Sequence, residues 1–194
     1  MNKFHAFYLD NVLLVRLINK QTDNTKKEGD ITLLYSGDTL IGYNIFNIQL
    51  DLPKGLLDYN KEVETLVNDR LSKINQGPLE MEDVKSYFKV GYVKECEKHP
   101  DSNKLSVTQI DFGTGDLSQV VCGASNIAQG QKVVVAQPGA VLNDGTWIGK
   151  GKLLKVDSNG MVCSAKELGL AKESQGILVL EDNVQVGSRF FNEN

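Results

Sequence analysis

The chain has 194 residues, 41% of them hydrophobic and 24% charged, with a formal net charge of −4. That balance excludes a basic nucleic-acid coat, so any RNA contact has to come from a local patch. The longest apolar runs, such as residues 12–18, are far too short to span a bilayer. The N-terminal segment carries Asp10 and no small-residue cleavage site, so it does not read as a signal peptide. Cys96, Cys122 and Cys163 form an odd, widely spaced set. They argue against a disulfide framework and for a reducing, cytoplasmic setting.

Residues 1–80 read as a small, strand-rich α+β domain with one closing helix. "KFHAFYL" and "VLLVRLI" flank Asp10-Asn11, a hairpin-turn pair that tolerates positive φ. "ITLLYSG" and "TLIGYNIFNIQL" follow, divided at Gly37-Asp38, and Pro53-Lys54-Gly55 closes the block. In "NKEVETLVNDRLSKINQGP", Val63, Leu66, Val67, Leu71 and Ile74 recur at helical spacing. Asn60 is placed to cap that helix, Glu62 and Glu64 sit in its first turn, and Gly77-Pro78 is its expected stop. His5, among Phe4, Phe7 and Tyr8, reads as an ordinary packing or surface histidine.

Residues 84–194 read as a second, mainly β domain. Five short β-like runs recur: "YFKVGYVKEC", "KLSVTQIDFG", "LSQVVCG", "KVVVAQPG" and "GKLLKVDS". A weak helical stretch, "ASNIAQGQ", lies between the third and fourth. Five strands with a helix in that place is the order of an OB-fold barrel, which binds oligonucleotides on strands two and three and the adjoining loops. "GASNIAQG" lacks the Gly-Lys-Ser/Thr ending of a phosphate loop. Cys122, between valines and a glycine, reads as a small buried hydrophobe. "SAKELGL" reads as a short helix with Ser164 and Glu167 in a capping box.

The segments "HPDSNKL", "VTQIDFG", "QVVCGASNIAQGQKVVVAQPGAVL" and "KGKLLKVDSNGMVCSAKELGL" occur in one order from about residue 91 to 180. Together they resemble the tRNA-binding OB domain. That domain stands at the front of bacterial phenylalanyl-tRNA synthetase beta subunits, at the tail of many methionyl-tRNA synthetases and in stand-alone tRNA-binding proteins. The strand-rich first half and "LIGYNIFNI" are similar to the stand-alone YtpR-type group. The resemblance implies a non-catalytic tRNA-binding protein of the translation apparatus, with a synthetase or another translation protein as partner, a homodimer as an allowed state, and neither cofactor nor metal nor membrane.

"HPDSNKL" itself reads as a turn, with Pro100 fixing φ and Asp101, Ser102 and Asn103 able to bond nearby backbone. Asn103 replaces the family's acid. Cys96 and His99 are half of a zinc site at most, because a structural site takes four ligands. Phosphate affinity needs lysine or arginine on one face. Residues 132–155 hold Lys132, Lys150, Lys152 and Lys155 against Asp144 alone. Lys150 and Lys152 share strand parity, Lys155 falls on the other, and Lys104 is positioned to join from the first loop. The family pattern Lys-x-Arg-Gly-Val-x-Ser-x-Gly-Met reads here from Lys152 to Met161, with Leu154 for the arginine and Lys155 for the glycine. Lysine does not copy the planar fork of arginine. Ser158, Asn159, Met161 and Ser164 complete the expected RNA-contacting set, through hydroxyls, an amide and one adaptable apolar side chain. Tyr92, Phe112 and Trp147 are the nearby aromatics, few enough to favour binding by shape and phosphate over stacking. The competing expectation is a protein-interaction module that keeps the OB scaffold without RNA affinity. An enzyme centred on the first half has no supporting residues.

Overall fold

The computed structural model describes residues 2–191. The chain divides into two compact units, residues 1–83 and 84–194. Both are mainly β.

The first unit is built from β1 (Asn2–Leu9), β2 (Val12–Arg16), β3 (Asn24–Glu28), β4 (Ile31–Ser36), β5 (Thr39–Phe46), β6 (Gly55–Leu56), α1 (Lys61–Ser72) and β7 (Leu79–Met81). Its sheet runs β3-β4-β5-β2-β1-β6, with β7 parallel to β1. Leu9 pairs with Val12, so Asp10-Asn11 is a two-residue hairpin loop, with Asp10 at φ 54°. Alternate residues of the central strands, among them Phe4, Ala6, Leu13, Val15, Tyr43 and Ile45, turn to one face, where they meet Val63, Val67 and Leu71 of α1. The Asn60 side chain accepts from the backbone N–H of Glu62 and Val63, which satisfies two of the free donors at the helix start. The helix ends at Ser72, ahead of the expected Gly77-Pro78 stop; Asn75 follows it at φ 56°. β3 is a fully polar edge strand that hydrophobic alternation does not mark.

The second unit opens with a 3-10 turn at Val84–Tyr87 and continues through β8 (Phe88–Lys98), β9 (Ser106–Asp111), β10 (Leu117–Cys122), β11 (Lys132–Ala136), β12 (Lys150–Leu153), β13 (Val156–Asn159), β14 (Met161–Val162) and β15 (Val179–Leu180). β8, β9 and β10 form an antiparallel meander, β11 returns to pair with β8, and β14 pairs with β11. This is OB-fold connectivity. On β11 both faces are buried: Val133 and Val135 enter the barrel interior beside Val93, Ile110 and Val120. Val134 and Ala136 face an outer cluster with Phe88, Leu142 and Cys163, against which Phe190 and Phe191 pack. Double burial explains why its sequence is an unbroken apolar run.

Three expectations need correction. Residues 124–131 form turns and no helix. The Asn126 side chain is the reason: its amide donates to the Ile177 carbonyl at 3.0 Å and its oxygen accepts from the Ile177 N–H at 2.9 Å. "SAKELGL" is a single turn rather than a helix, although its capping-box bonds form. Ser164 N–H and hydroxyl both reach Glu167 Oε2 at 2.7 Å, and Glu167 N–H returns to Ser164 Oγ at 3.3 Å. "GKLLKVDS" is a hairpin, β12–β13, and not one strand.

Candidate nucleic-acid interface

The β12–β13 hairpin is an exposed basic element of the second unit. Every residue of β12 is exposed. Lys150 pairs with Asn159, Gly151 with Ser158, Lys152 with Asp157 and Leu153 with Val156. Directly opposed residues share a face. Lys150, Lys152, Asp157 and Asn159 therefore lie on one side, and Leu153, Val156 and Ser158 on the other. Lys152 Nζ stands 3.4 Å from Asp157 Oδ1, with both side chains more than 60% exposed. Such a pair contributes little and leaves the lysine available to a phosphate.

Leu154 and Lys155 make the two-residue turn, at φ 44° and 73°. A turn with both central residues at positive φ matches strand twist, and it ordinarily selects asparagine or glycine. Here a branched aliphatic and a lysine occupy it. Leu154 is 53% exposed and Leu153 40%.

His99 holds this hairpin in place. Its Nε2 lies 3.1 Å from the Leu153 carbonyl, and its Nδ1 accepts from Asp101 N–H at 3.1 Å. A carbonyl only accepts, so the ring proton sits on Nε2 and points at the hairpin. His99 is buried, and its N–H bonds to the Leu105 carbonyl at 3.0 Å across the turn. Lys104 N–H bonds to Ser102 Oγ at 3.2 Å, which closes the turn and leaves the Lys104 side chain exposed. The turn between β8 and β9 and the hairpin tip are thus tied together through one imidazole. With both ring nitrogens so engaged, His99 is a structural latch and not a nucleophile's partner or a metal ligand. Among the described residues, no three His, Cys, Asp or Glu side chains gather as a metal site would require.

Ser158 is 4% exposed and faces the barrel. Its Oγ accepts from Val121 N–H at 3.0 Å and donates to the Gly160 carbonyl at 3.2 Å. Gln119 Nε2 donates to the Asp157 carbonyl at 2.8 Å beside it. Among the described strands no backbone ladder joins β10 to β13; these two side chains close the barrel there. Sequence reading missed this seam because its partners lie 37 and 38 residues apart. Gly160, at φ 128°, turns the chain from β13 into β14, and a Cβ there would meet the Ala136 carbonyl at 2.6 Å.

Met161 and Ser164 line a separate cleft of about 360 Å³ with Cys122, Gly123, Glu167 and Gly176. The Ser164 hydroxyl is engaged by Glu167, as above. Burial pushes the Cys122 thiol up and the Cys163 thiol up to about 12, so neither is a thiolate at neutral pH. Lys132 is not part of the basic group: its ammonium is held by the carbonyls of Asp182 and Val184. The structure therefore gathers Lys150, Lys152, Lys155 and Asn159 on the hairpin, ties Lys104 to it through His99, and uses Ser158 to shut the barrel.

Residues 88–189 match the family described as "Putative tRNA binding domain". The chain is 40% identical over 202 residues to "Putative tRNA-binding protein YtpR" of Bacillus subtilis (strain 168), covering 96% of this chain and 98% of that protein. It is 47% identical over 132 residues to the phenylalanine–tRNA ligase beta subunit of Oceanobacillus iheyensis, covering 61% of this chain and 16% of the subunit. A solved MetRS related protein from Pyrococcus horikoshii aligns with a TM-score of 0.42 and 24% identity, over 54% of this chain and 88% of that one.

Proposed function

Because the chain belongs to the "Putative tRNA binding domain" family, we propose that it binds tRNA without catalysing a reaction, through the β12–β13 hairpin and the adjoining turn. The observation that carries this reading is the exposed hairpin, three lysines against one acid, latched by His99 to the turn that bears Lys104. Phosphate contacts supply affinity without reading sequence, and they need cations that are free to move onto the backbone. Lys104, Lys150, Lys152 and Lys155 meet that need. Asn159, on the lysine face, is positioned to bond a base edge or a ribose hydroxyl. Met161 and Ser164 line the neighbouring cleft, and Ser158 acts from within by holding β13 in register. The protein works in the cytoplasm in this reading, with a synthetase or another translation protein as partner and a homodimer as the assembly to test by light scattering.

A second reading, a protein-interaction module on the same scaffold, draws on the two exposed leucines at the hairpin tip and on the net charge of −4. The two separate in a titration of bulk tRNA at several salt concentrations, with the wild type beside a Lys150→Ala/Lys152→Ala/Lys155→Ala variant. Each phosphate contact adds a slope of roughly 0.7–0.9 to the fall of log affinity with log salt. The variant is expected to flatten that slope by about 2 to 3. Absence of wild-type binding even at low salt would contradict the tRNA reading and favour the protein module.

A further inference from the structure

The hairpin tip is not explained by charge alone. Leu154 combines three properties that rarely coincide: a branched aliphatic side chain, a left-handed backbone at φ 44°, and 53% exposure. Left-handed φ is disfavoured for any residue with a Cβ, and a bulky residue there is an outlier. Such outliers persist where surrounding structure enforces them, and they cluster at functional sites. Here the enforcement is visible. The tip closes the β12–β13 register, and the Leu153 carbonyl, one residue away, is fixed by the buried His99. The next residue, Lys155, is also left-handed at φ 73°. An apolar point is thus held outward at the tip, with Leu153 and Lys155 as its chain neighbours and Lys152 and Lys150 following down β12 on the face opposite Leu153.

We propose that Leu154 is an apolar wedge that seats against the face of an unpaired nucleobase in structured RNA, while the lysines of the same hairpin hold nearby phosphates. This rests on the RNA-binding reading above and adds to it a contact that is not electrostatic. The hairpin's lysines select a polyanion, and the only apolar surface an RNA offers a leucine is a base face or sugar edge. Inside a helix, base faces are covered by stacking; they open where a helix gives way to a loop or bulge, whose unstacked bases can be splayed out against protein side chains. Aliphatic side chains already serve as wedges between bases in other nucleic-acid binders. A two-residue tip is narrow enough for the task, and the latch to the Lys104 turn prevents it from folding away when it meets the base.

The wedge and the lysines are separable because only the lysines release counterions. The test compares wild type, Leu154→Ala, Leu154→Gly and the triple lysine variant on two probes: bulk tRNA, and a blunt, fully paired RNA duplex of similar length. Leu154→Gly removes the side chain while relaxing the backbone, so it guards against a loss caused by misfolding; thermal melting of each variant checks this. Both Leu154 variants are expected to bind tRNA about 5- to 10-fold more weakly with an unchanged salt slope, and to bind the duplex within about twofold of wild type. The triple lysine variant is expected to lose affinity for both probes and to flatten both slopes. If Leu154→Ala and Leu154→Gly bind tRNA as wild type does, the wedge is wrong and the tRNA reading stands. An equal loss on the duplex also overturns the wedge, because no unpaired base is present there. If the wild type binds neither probe, both readings fall together.

Discussion

Lys155 sits at φ 73° with its side chain in solvent, at a position where the family pattern has glycine. It carries charge to the tip at a conformational cost. Left-handed backbone costs a non-glycine residue roughly 1–2 kcal/mol, of which glycine's greater unfolded-state entropy takes back a part. Lys155→Gly is therefore expected to stabilise the protein by about 1 kcal/mol, read as a higher urea midpoint with an unchanged m value. The same variant should lose about one phosphate's worth of salt slope on tRNA. Stabilisation with no change in slope would remove Lys155 from the interface. At this scale the sequence was only partly legible. Lys150, Lys152 and Lys155 could be named, and the shared parity of the first two holds in the hairpin. The role of His99 could not be read, because its partner is a backbone carbonyl 54 residues away and backbone leaves no signature in side-chain identity. Lys132 counts with the basic group in sequence alone, but its ammonium lies on the carbonyls of Asp182 and Val184.

Elements were legible where one face alone is buried and obscure where turns break the rules. α1 announces itself through Val63, Val67 and Leu71, all buried on one stripe, and through Asn60 at its cap. The β12–β13 hairpin hid inside what read as one strand, since Leu154-Lys155 carries none of the glycine or asparagine that marks a two-residue turn. β3 hid for the opposite reason: an exposed edge strand has no buried face to impose alternation. The seam between β10 and β13 depends on side chains rather than on a ladder, and this is testable. Ser158→Ala leaves the buried Val121 N–H without its acceptor, and an unsatisfied buried donor costs about 1–3 kcal/mol. The variant is expected to lose stability by that amount while retaining the salt slope of tRNA binding, since no charge is removed. A flattened slope with unchanged stability would mean that the Ser158 hydroxyl faces RNA and not Val121.

The chain as a whole carries a net charge of −4, the second unit bears an exposed hairpin with three lysines against one acid, and the first unit has a core of its own. A net negative charge works against diffuse adsorption of a polyanion, so RNA affinity has to come from a local group of lysines. The OB order of the second unit was legible from the spacing of short β runs and from motifs in family sequence. The closing arrangement of the barrel was not, because the fifth strand is split at Gly160 into β13 and β14 and each half faces a different neighbour. Docking of tRNA on the hairpin and its latched turn is tested by amide hydrogen exchange with and without bulk tRNA. Added protection is expected in residues 99–105 and 150–161, with the first unit unchanged. Binding accompanied by protection confined to residues 2–83, or to the outer cluster around Phe88 and Leu142, would contradict it.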